Sequence, residues 1–171
     1  MKDDFIKPII ILTLICLVVS GALAVLNDLT YPVIQAAAAE RAQTVMNSII
    51  PASSGFELIS DDRFPATVRE AYRETGGKGY VFIVSVNGYG GEVRVICGID
   101  MDGRIIQSST LAQTETKGLG TIIAEDWWTS QFDDKDSSLE GISTISGATI
   151  STRAFINAIN DAFAAYEAVR G

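Results

Sequence analysis

An uncharged apolar run near the N-terminus divides this chain into two parts. Residues 8–26 carry no charge, and as a helix they would span roughly 28 Å, about the thickness of the hydrocarbon core of a bilayer. Ala22-Leu23-Ala24 also fits the cleavage pattern of a signal peptide. Because apolar residues continue past Ala24, we favour a retained transmembrane anchor, which leaves the rest of the chain to form a folded domain.

The distribution of charge predicts how this anchor is oriented. Lys2 and Lys7 precede the run, Asp28 follows it directly, and Arg41 is the first positive charge afterwards. By the positive-inside rule, we expect a single-pass protein of the cell inner (cytoplasmic) membrane, in contact with membrane lipid, with a cytoplasmic N-terminus and an extracytoplasmic C-terminal domain. The formal net charge of −8 falls after the anchor, and such an acidic domain repels phosphate backbones, so no nucleic-acid partner is predicted.

The composition excludes several kinds of catalytic and metal site. The 171 residues include no histidine, which removes Ser-His-Asp and Cys-His nucleophiles and the usual zinc sites. Cys16 lies in the apolar run and Cys97 in a predicted strand, so we expect two buried, inert thiols and no disulfide. No paired carboxylates stand out, and we predict no metal site, no catalytic residues and no self-contained enzyme.

The expected organisation is a membrane anchor, a connecting segment and one domain. The anchor covers residues 1–27, the connecting helical segment residues 28–55, and the domain residues 56–171. Strong helix formers occupy residues 36–42, whereas Pro32 should end or kink any helix that runs out of the membrane.

Within the domain, the pattern predicts an α+β fold with a small antiparallel sheet packed with helices. Three strands in a meander are expected over residues 80–86, 92–100 and 104–111, from their β-branched and aromatic content and their glycine-containing turns. Residues 68–72 hint at a short strand or a turn. A sheet of this size needs helices on one face.

The final segment, residues 151–170, predicts such a helix. Ser151 and Thr152 are the expected N-cap residues. Apolar residues then recur at helical spacing and form one stripe, at Phe155, Ile159, Ala162, Tyr166 and Val169.

The tetrapeptide Ser146-Gly147-Ala148-Thr149 precedes this helix and is the first candidate for binding a ligand. Gly147 permits a positive φ, Ala148 is small enough to let a ligand approach, and Thr149 presents a hydroxyl near the start of the helix. Unpaired N–H groups and the helix dipole favour a phosphate there. Read alone, the motif is more typical of ordinary helix capping.

The second candidate is the loop Glu115-Thr116-Lys117-Gly118-Leu119-Gly120. Two glycines around one leucine let the backbone approach a flat ring and offer N–H donors, and Leu119 could contact the ring face. The alternative is a plain connecting loop. Trp127 and Trp128 follow it, and we interpret them as packing residues rather than flavin-stacking ones.

Together with the anchor, the two motifs resemble the G subunit of the Rnf electron-transport complex, which is related to the C subunit of sodium-translocating NADH:quinone oxidoreductase. The resemblance implies FMN joined through its phosphate to the last threonine of S/T-G-A-T. The motif alone leaves Thr144 and Thr152 as equally good attachment sites, and the resemblance selects Thr149. The implied cofactor-binding set is Thr149, Ser146, Gly147, Ala148, Glu115, Thr116, Gly118, Leu119 and Gly120.

The resemblance also implies a function and partners. The protein would relay electrons within an ion-translocating ferredoxin:NAD oxidoreductase, beside other membrane subunits, after a flavin transferase has attached FMN from FAD. Two departures from the family pattern are visible: Lys117 where proline is usual, and Ser143 where an acidic residue is frequent. The alternatives are an extracytoplasmic FMN-binding electron shuttle outside Rnf and a cofactor-free anchored structural module.

Overall fold

The computed structural model describes residues 2–50 and 55–170, with the side chains of residues 11–31 and 44–50 in its first helix. The chain forms two compact units, Met1–Glu40 and Arg41–Gly171. Each is described separately below.

The first unit is helical, and its helix α1 (Lys2–Ile49) extends into the second unit. Within the described residues, Ile11–Tyr31 is the one helical segment long and apolar enough to cross a membrane, and its side chains, Cys16 included, are all exposed. The sequence predicted that Pro32 would end or kink the helix; it does not end the helix, because α1 continues through it. A proline removes one backbone hydrogen bond, and here the strong helix formers of residues 36–42 follow within a turn.

The second unit is built on a five-stranded antiparallel sheet of sequential order. Its strands are β1 (Phe56–Ile59), β2 (Val68–Glu74), β3 (Gly79–Asn87), β4 (Glu92–Asp100) and β5 (Ile105–Ala112). The three predicted strands are confirmed as β3, β4 and β5, in an α+β fold, but the predicted number of strands is wrong. β2 covers residues 68–72, for which a strand and a turn were both left open, because its sequence VREAYRE is rich in charge. β1 was not predicted, because its sequence FELI is short.

Four helical segments follow β5. They are a 3-10 turn (Gly120–Ala124), α2 (Asp126–Thr129), a second 3-10 turn (Ser130–Phe132) and the long helix α3 (Thr149–Val169). α3 packs on β3 and β4, and the stripe predicted for it faces the core. This main core contains Tyr80, Phe82, Val84, Val95, Cys97, Trp128, Phe132, Phe155, Ile159, Ala162 and Tyr166.

The other face of the sheet is covered by the last residues of α1. Met46, Ile49 and Ile50 are buried with the alternate residues of β3 and β4, among them Val81, Ile83 and Ile96. Gly98 in β4 makes this approach possible, because a Cβ there would overlap the Cγ2 methyl of Ile49. The compact unit therefore begins at Arg41, upstream of the domain boundary expected at residue 56.

Candidate functional site

The start of α3 lies at the centre of the candidate site. Gly147 has φ +85°, the positive value predicted for it, and open space surrounds the position where its Cβ would be. The predicted N-cap is wrong, because α3 begins at Thr149 with Ala148 as its N-cap and no side chain accepts a hydrogen bond there. The first backbone N–H groups of α3 are therefore not satisfied by a capping side chain, as a phosphate site at a helix start requires.

Ser151 and Thr152 have other partners instead. The Thr152 hydroxyl donates to the Ala148 carbonyl at 2.9 Å and accepts the Ile145 N–H at 3.2 Å. The Ser151 hydroxyl donates to the carboxylate of Glu115. Both hydroxyls are buried and serve to fix the turn that leads into α3.

An open cleft of about 470 Å³ joins the two sequence motifs. One wall is the 115–120 loop, the other is the start of α3, and the 87–91 turn closes the third side. Its lining consists of Tyr89, Glu115, Thr116, Leu119, Gly120, Gly147, Ala148, Thr149, Ile150 and Ser151. The volume falls in the range typical of sites for small organic ligands, about 300–1,000 Å³.

Of Thr144, Thr149 and Thr152, Thr149 is the one that lines the cleft. Its Oγ1 makes one long hydrogen bond, donating to the Ile145 carbonyl at 3.3 Å, and the residue is half-buried. Thr152 is fully buried, with its hydroxyl engaged on both sides. Thr144 is not among the residues that line the cleft. Thr116 is exposed and lines the opposite wall.

Tyr89 and Ile150 are lining residues that the sequence motifs did not single out. They are 70% and 55% exposed, and with Leu119 at 54% they present three large apolar side chains at the cleft. Each comes from a different segment: the turn, the first helical turn of α3 and the loop. Neither residue carries a local signal in the sequence, because single apolar residues at a protein surface are ordinary.

Two of the nine residues proposed to bind the cofactor do not line the cleft. Ser146 is exposed outside it. Gly118 has φ +77°, and its N–H donates to Thr121 Oγ1 at 3.0 Å, so it shapes the loop. Lys117 and Ser143, the two departures from the family pattern, are exposed and also lie outside the lining.

The tryptophan interpretation is confirmed for Trp128, which is buried against Phe132 and Phe155 with ring centroids at 5.5 and 6.3 Å. Trp127 packs edge-on against Trp128 at 6.3 Å and is half exposed. Neither ring lines the cleft. In the described part of the chain, no group of three or more acidic or cysteine side chains could hold a metal ion.

Comparison with known proteins places this cleft in a characterised family. Residues 88–164, which contain all the lining residues, match the FMN-binding domain family. The G subunit of the ion-translocating oxidoreductase complex of Methanosarcina acetivorans is 30% identical over 181 residues, which covers 95% of each chain. The protein of the same name from Shewanella piezotolerans is 28% identical over 93% of this chain and 88% of its own.

A third relative matches over a shorter stretch. The G subunit of the proton-translocating ferredoxin:NAD(+) oxidoreductase complex of Clostridium ljungdahlii is 30% identical over 93 residues, which covers 48% of this chain and 50% of its own. With near-complete coverage of the Methanosarcina acetivorans relative, the cleft geometry and the domain match lead to one conclusion: this chain belongs to the family of G subunits of ion-translocating oxidoreductase complexes.

Proposed function

We propose that this protein carries FMN in the cleft, esterified through its phosphate to Thr149, and relays electrons within an ion-translocating, Rnf-type oxidoreductase complex. The observation that carries the proposal is that one cleft is lined both by the 115–120 loop and by Thr149, which is half-buried at the start of α3. The FMN-binding domain match over residues 88–164 and the names of the relatives support the cofactor and the assembly.

The residues present fit a flavin phosphate and its ring. The start of α3 offers backbone N–H groups and the positive end of the helix dipole to a phosphate. Leu119, Ile150 and Tyr89 offer apolar contact to the ring, as a flat aromatic ligand requires. Gly147 and Ala148 leave the space between these two regions free of large side chains.

The chemistry of attachment follows from the same arrangement. The Thr149 oxygen would form an ester bond to the FMN phosphorus of FAD, while the bond between the two phosphates breaks and AMP leaves. A base on a separate flavin transferase would take the hydroxyl proton. Bound FMN supplies reversible electron transfer; the chain itself binds, orients and retains the group.

The protein is membrane-anchored in this proposal, with the Ile11–Tyr31 segment as its span. Lys2 and Lys7 before the span favour a cytoplasmic N-terminus and an extracytoplasmic folded unit. A covalent tether suits that side of the membrane, where a lost flavin is not easily replaced. Fusion of alkaline phosphatase to the C-terminus tests the orientation: an active enzyme is expected, and an inactive but stable fusion would place the domain in the cytoplasm.

Intact-mass measurement of the full chain tests the attachment. When the chain is made together with a flavin transferase, we expect a gain of one FMN less one water, and a fluorescent band on a denaturing gel. Thr149→Val keeps the branched side chain and removes the hydroxyl, so the gain should vanish. Thr144→Val removes the hydroxyl of an attachment candidate that lies outside the cleft lining, and should leave the gain intact. An unmodified Thr149 in an active complex would refute the proposal.

The two alternatives make different predictions. A cofactor-free structural module would be colourless and keep its unmodified mass with the transferase present. A free-standing electron shuttle would be flavinylated but would purify without polytopic membrane subunits. Co-purification with several such subunits is what we expect, because the relatives are named as subunits of a complex.

A further inference from the structure

A buried carboxylate connects the walls of the cleft. Glu115 is only 7% exposed. Its Oε1 accepts the Gly90 N–H at 2.9 Å, and its Oε2 accepts the hydroxyl of Ser151, in the first turn of α3. One side chain thus contacts two segments that lie 25 and 36 residues away along the chain.

The surrounding backbone is built to accommodate this carboxylate. A Cβ at Gly88 would overlap its Oε1, and a Cβ at Gly120 would lie 2.6 Å from its Oε2 and 2.7 Å from Ser151 Oγ. Neither position has room for a methyl group while Glu115 occupies its place. The two glycines are therefore needed for the carboxylate, independently of any approach by a ligand.

We infer that Glu115 is a positioning residue, whose carboxylate ties the 87–91 turn to the first turn of α3 and so sets the shape of the flavin cleft before the flavin enters. The inference deepens the proposed function and rests on it for the identity of the ligand. Glu115 then acts through Gly90 and Ser151: the first holds Tyr89 in place, and the second is two residues from Thr149. Removing the carboxylate would leave the Gly90 N–H and the Ser151 hydroxyl without their present acceptor.

Two substitutions separate positioning from a direct effect of charge. Glu115→Ala removes both acceptor oxygens. Glu115→Gln keeps an oxygen for the Gly90 N–H, and its amide N–H can donate to the Ser151 oxygen once that hydroxyl rotates. A positioning role therefore predicts that the glutamine variant behaves like the wild type, whereas a requirement for negative charge at the flavin predicts that it fails as the alanine variant does.

The first measurement uses full-length, flavin-free protein made without a transferase, in detergent. Amide hydrogen exchange at Gly90 should be at least about tenfold faster in Glu115→Ala, as expected for loss of a hydrogen bond to a charged group. It should stay near the wild-type rate in Glu115→Gln. The amide of Val95, buried in β4, reports global stability and should stay protected in both variants.

The second measurement adds a transferase and FAD and follows the mass gain with time. We expect at least about tenfold slower flavin attachment in Glu115→Ala, in line with the same lost hydrogen bond, and recovery in Glu115→Gln. Unchanged Gly90 exchange in Glu115→Ala, or a glutamine variant as impaired as the alanine variant, would overturn the positioning role. A wild-type chain that never takes flavin, but shows the expected exchange pattern, would refute the proposed function and leave the positioning role standing.

Discussion

Gly98 and Ile49 offer a test of how the end of α1 is built into the folded unit. Ile49 is 2% exposed, and a Cβ at Gly98 would overlap its Cγ2 methyl. Overpacking of this kind costs about 1–3 kcal/mol, and replacing a strand glycine by alanine returns about 0.5–1 kcal/mol. Gly98→Ala should therefore lower the free energy of unfolding by up to about 2.5 kcal/mol.

The same substitution should have the opposite sign once Ile49 is alanine. The Cγ2 methyl is then absent, and the new Cβ meets the Cβ of residue 49 and the Gln107 carbonyl oxygen at 3.7 Å, which is ordinary contact. What remains is the lower conformational entropy that alanine loses on folding compared with glycine. Gly98→Ala should therefore raise the free energy of unfolding of the Ile49→Ala variant by about 0.5–1 kcal/mol. Ile49→Ala alone should cost about 2–5 kcal/mol.

Urea unfolding of the full chain in detergent, followed by the fluorescence of buried Trp128, gives the four free energies of the cycle. Ile49→Val is the matched control: it keeps a Cγ2 methyl in a stiff β-branched side chain, so the Gly98→Ala penalty should persist. Additive effects of Gly98→Ala and Ile49→Ala would refute the packing of α1 on this face. Equal relief by Ile49→Val would refute the role assigned to the Cγ2 methyl.

Three further outcomes follow from the described residues. The guanidinium of Arg63 donates to both oxygens of Asp61 and lowers the pKa of Asp61 to about 2. The contribution of this pair to stability should be complete above pH 3.8, the ordinary pKa of Asp61, and should be lost as the pH falls towards 2. An NMR titration in which Arg63→Ala leaves the pKa of Asp61 unchanged would contradict the pairing. Burial raises the pKa of the Cys97 thiol, so iodoacetamide at about pH 8 should not modify Cys97 until urea unfolds the domain. Rapid modification at Cys97 itself in the native protein, located by peptide mapping because Cys16 is exposed, would show that the core is open there. Gly147→Ala meets no clash but forces φ +85° on a residue with a Cβ, so it should lower the free energy of unfolding by about 1–2 kcal/mol and slow flavin attachment, which denaturation and intact mass would measure.

Several elements could be predicted from the sequence because they depend on residues that are close together along the chain. β3, β4 and β5 each have strong β-formers and are joined by glycine-containing turns, so their existence and order follow from neighbouring residues. α3 has an apolar stripe that remains visible without knowing its partner. The positive φ of Gly147 was equally predictable, because the Ser-Gly-Ala-Thr sequence leaves only one residue suited to that backbone.

Other features depended on contacts between distant residues. β1 and β2 have weak propensity of their own; β2 is a strand because it pairs with β3, and β1 because it pairs with β2. The predicted helix caps, Ser151 and Thr152, are short polar residues that suit a cap anywhere. Their hydroxyls form other hydrogen bonds instead. The Ser151 hydroxyl donates to Glu115, and the Thr152 hydroxyl accepts the Ile145 N–H and donates to the Ala148 carbonyl.

The sequence by itself determined a candidate membrane span, the central hairpins, the final helix and the two motifs whose resemblance pointed to FMN. Only the tertiary structure decided that the end of α1 covers the second face of the sheet and that Tyr89 and Ile150 complete the cleft. It also decided that Thr149 lines the cleft whereas Thr152 is buried. The physical reason is the distance along the chain over which each effect acts. Propensity and periodicity depend on neighbouring residues, whereas burial and hydrogen-bond partners depend on residues far apart in the sequence that the fold brings into contact.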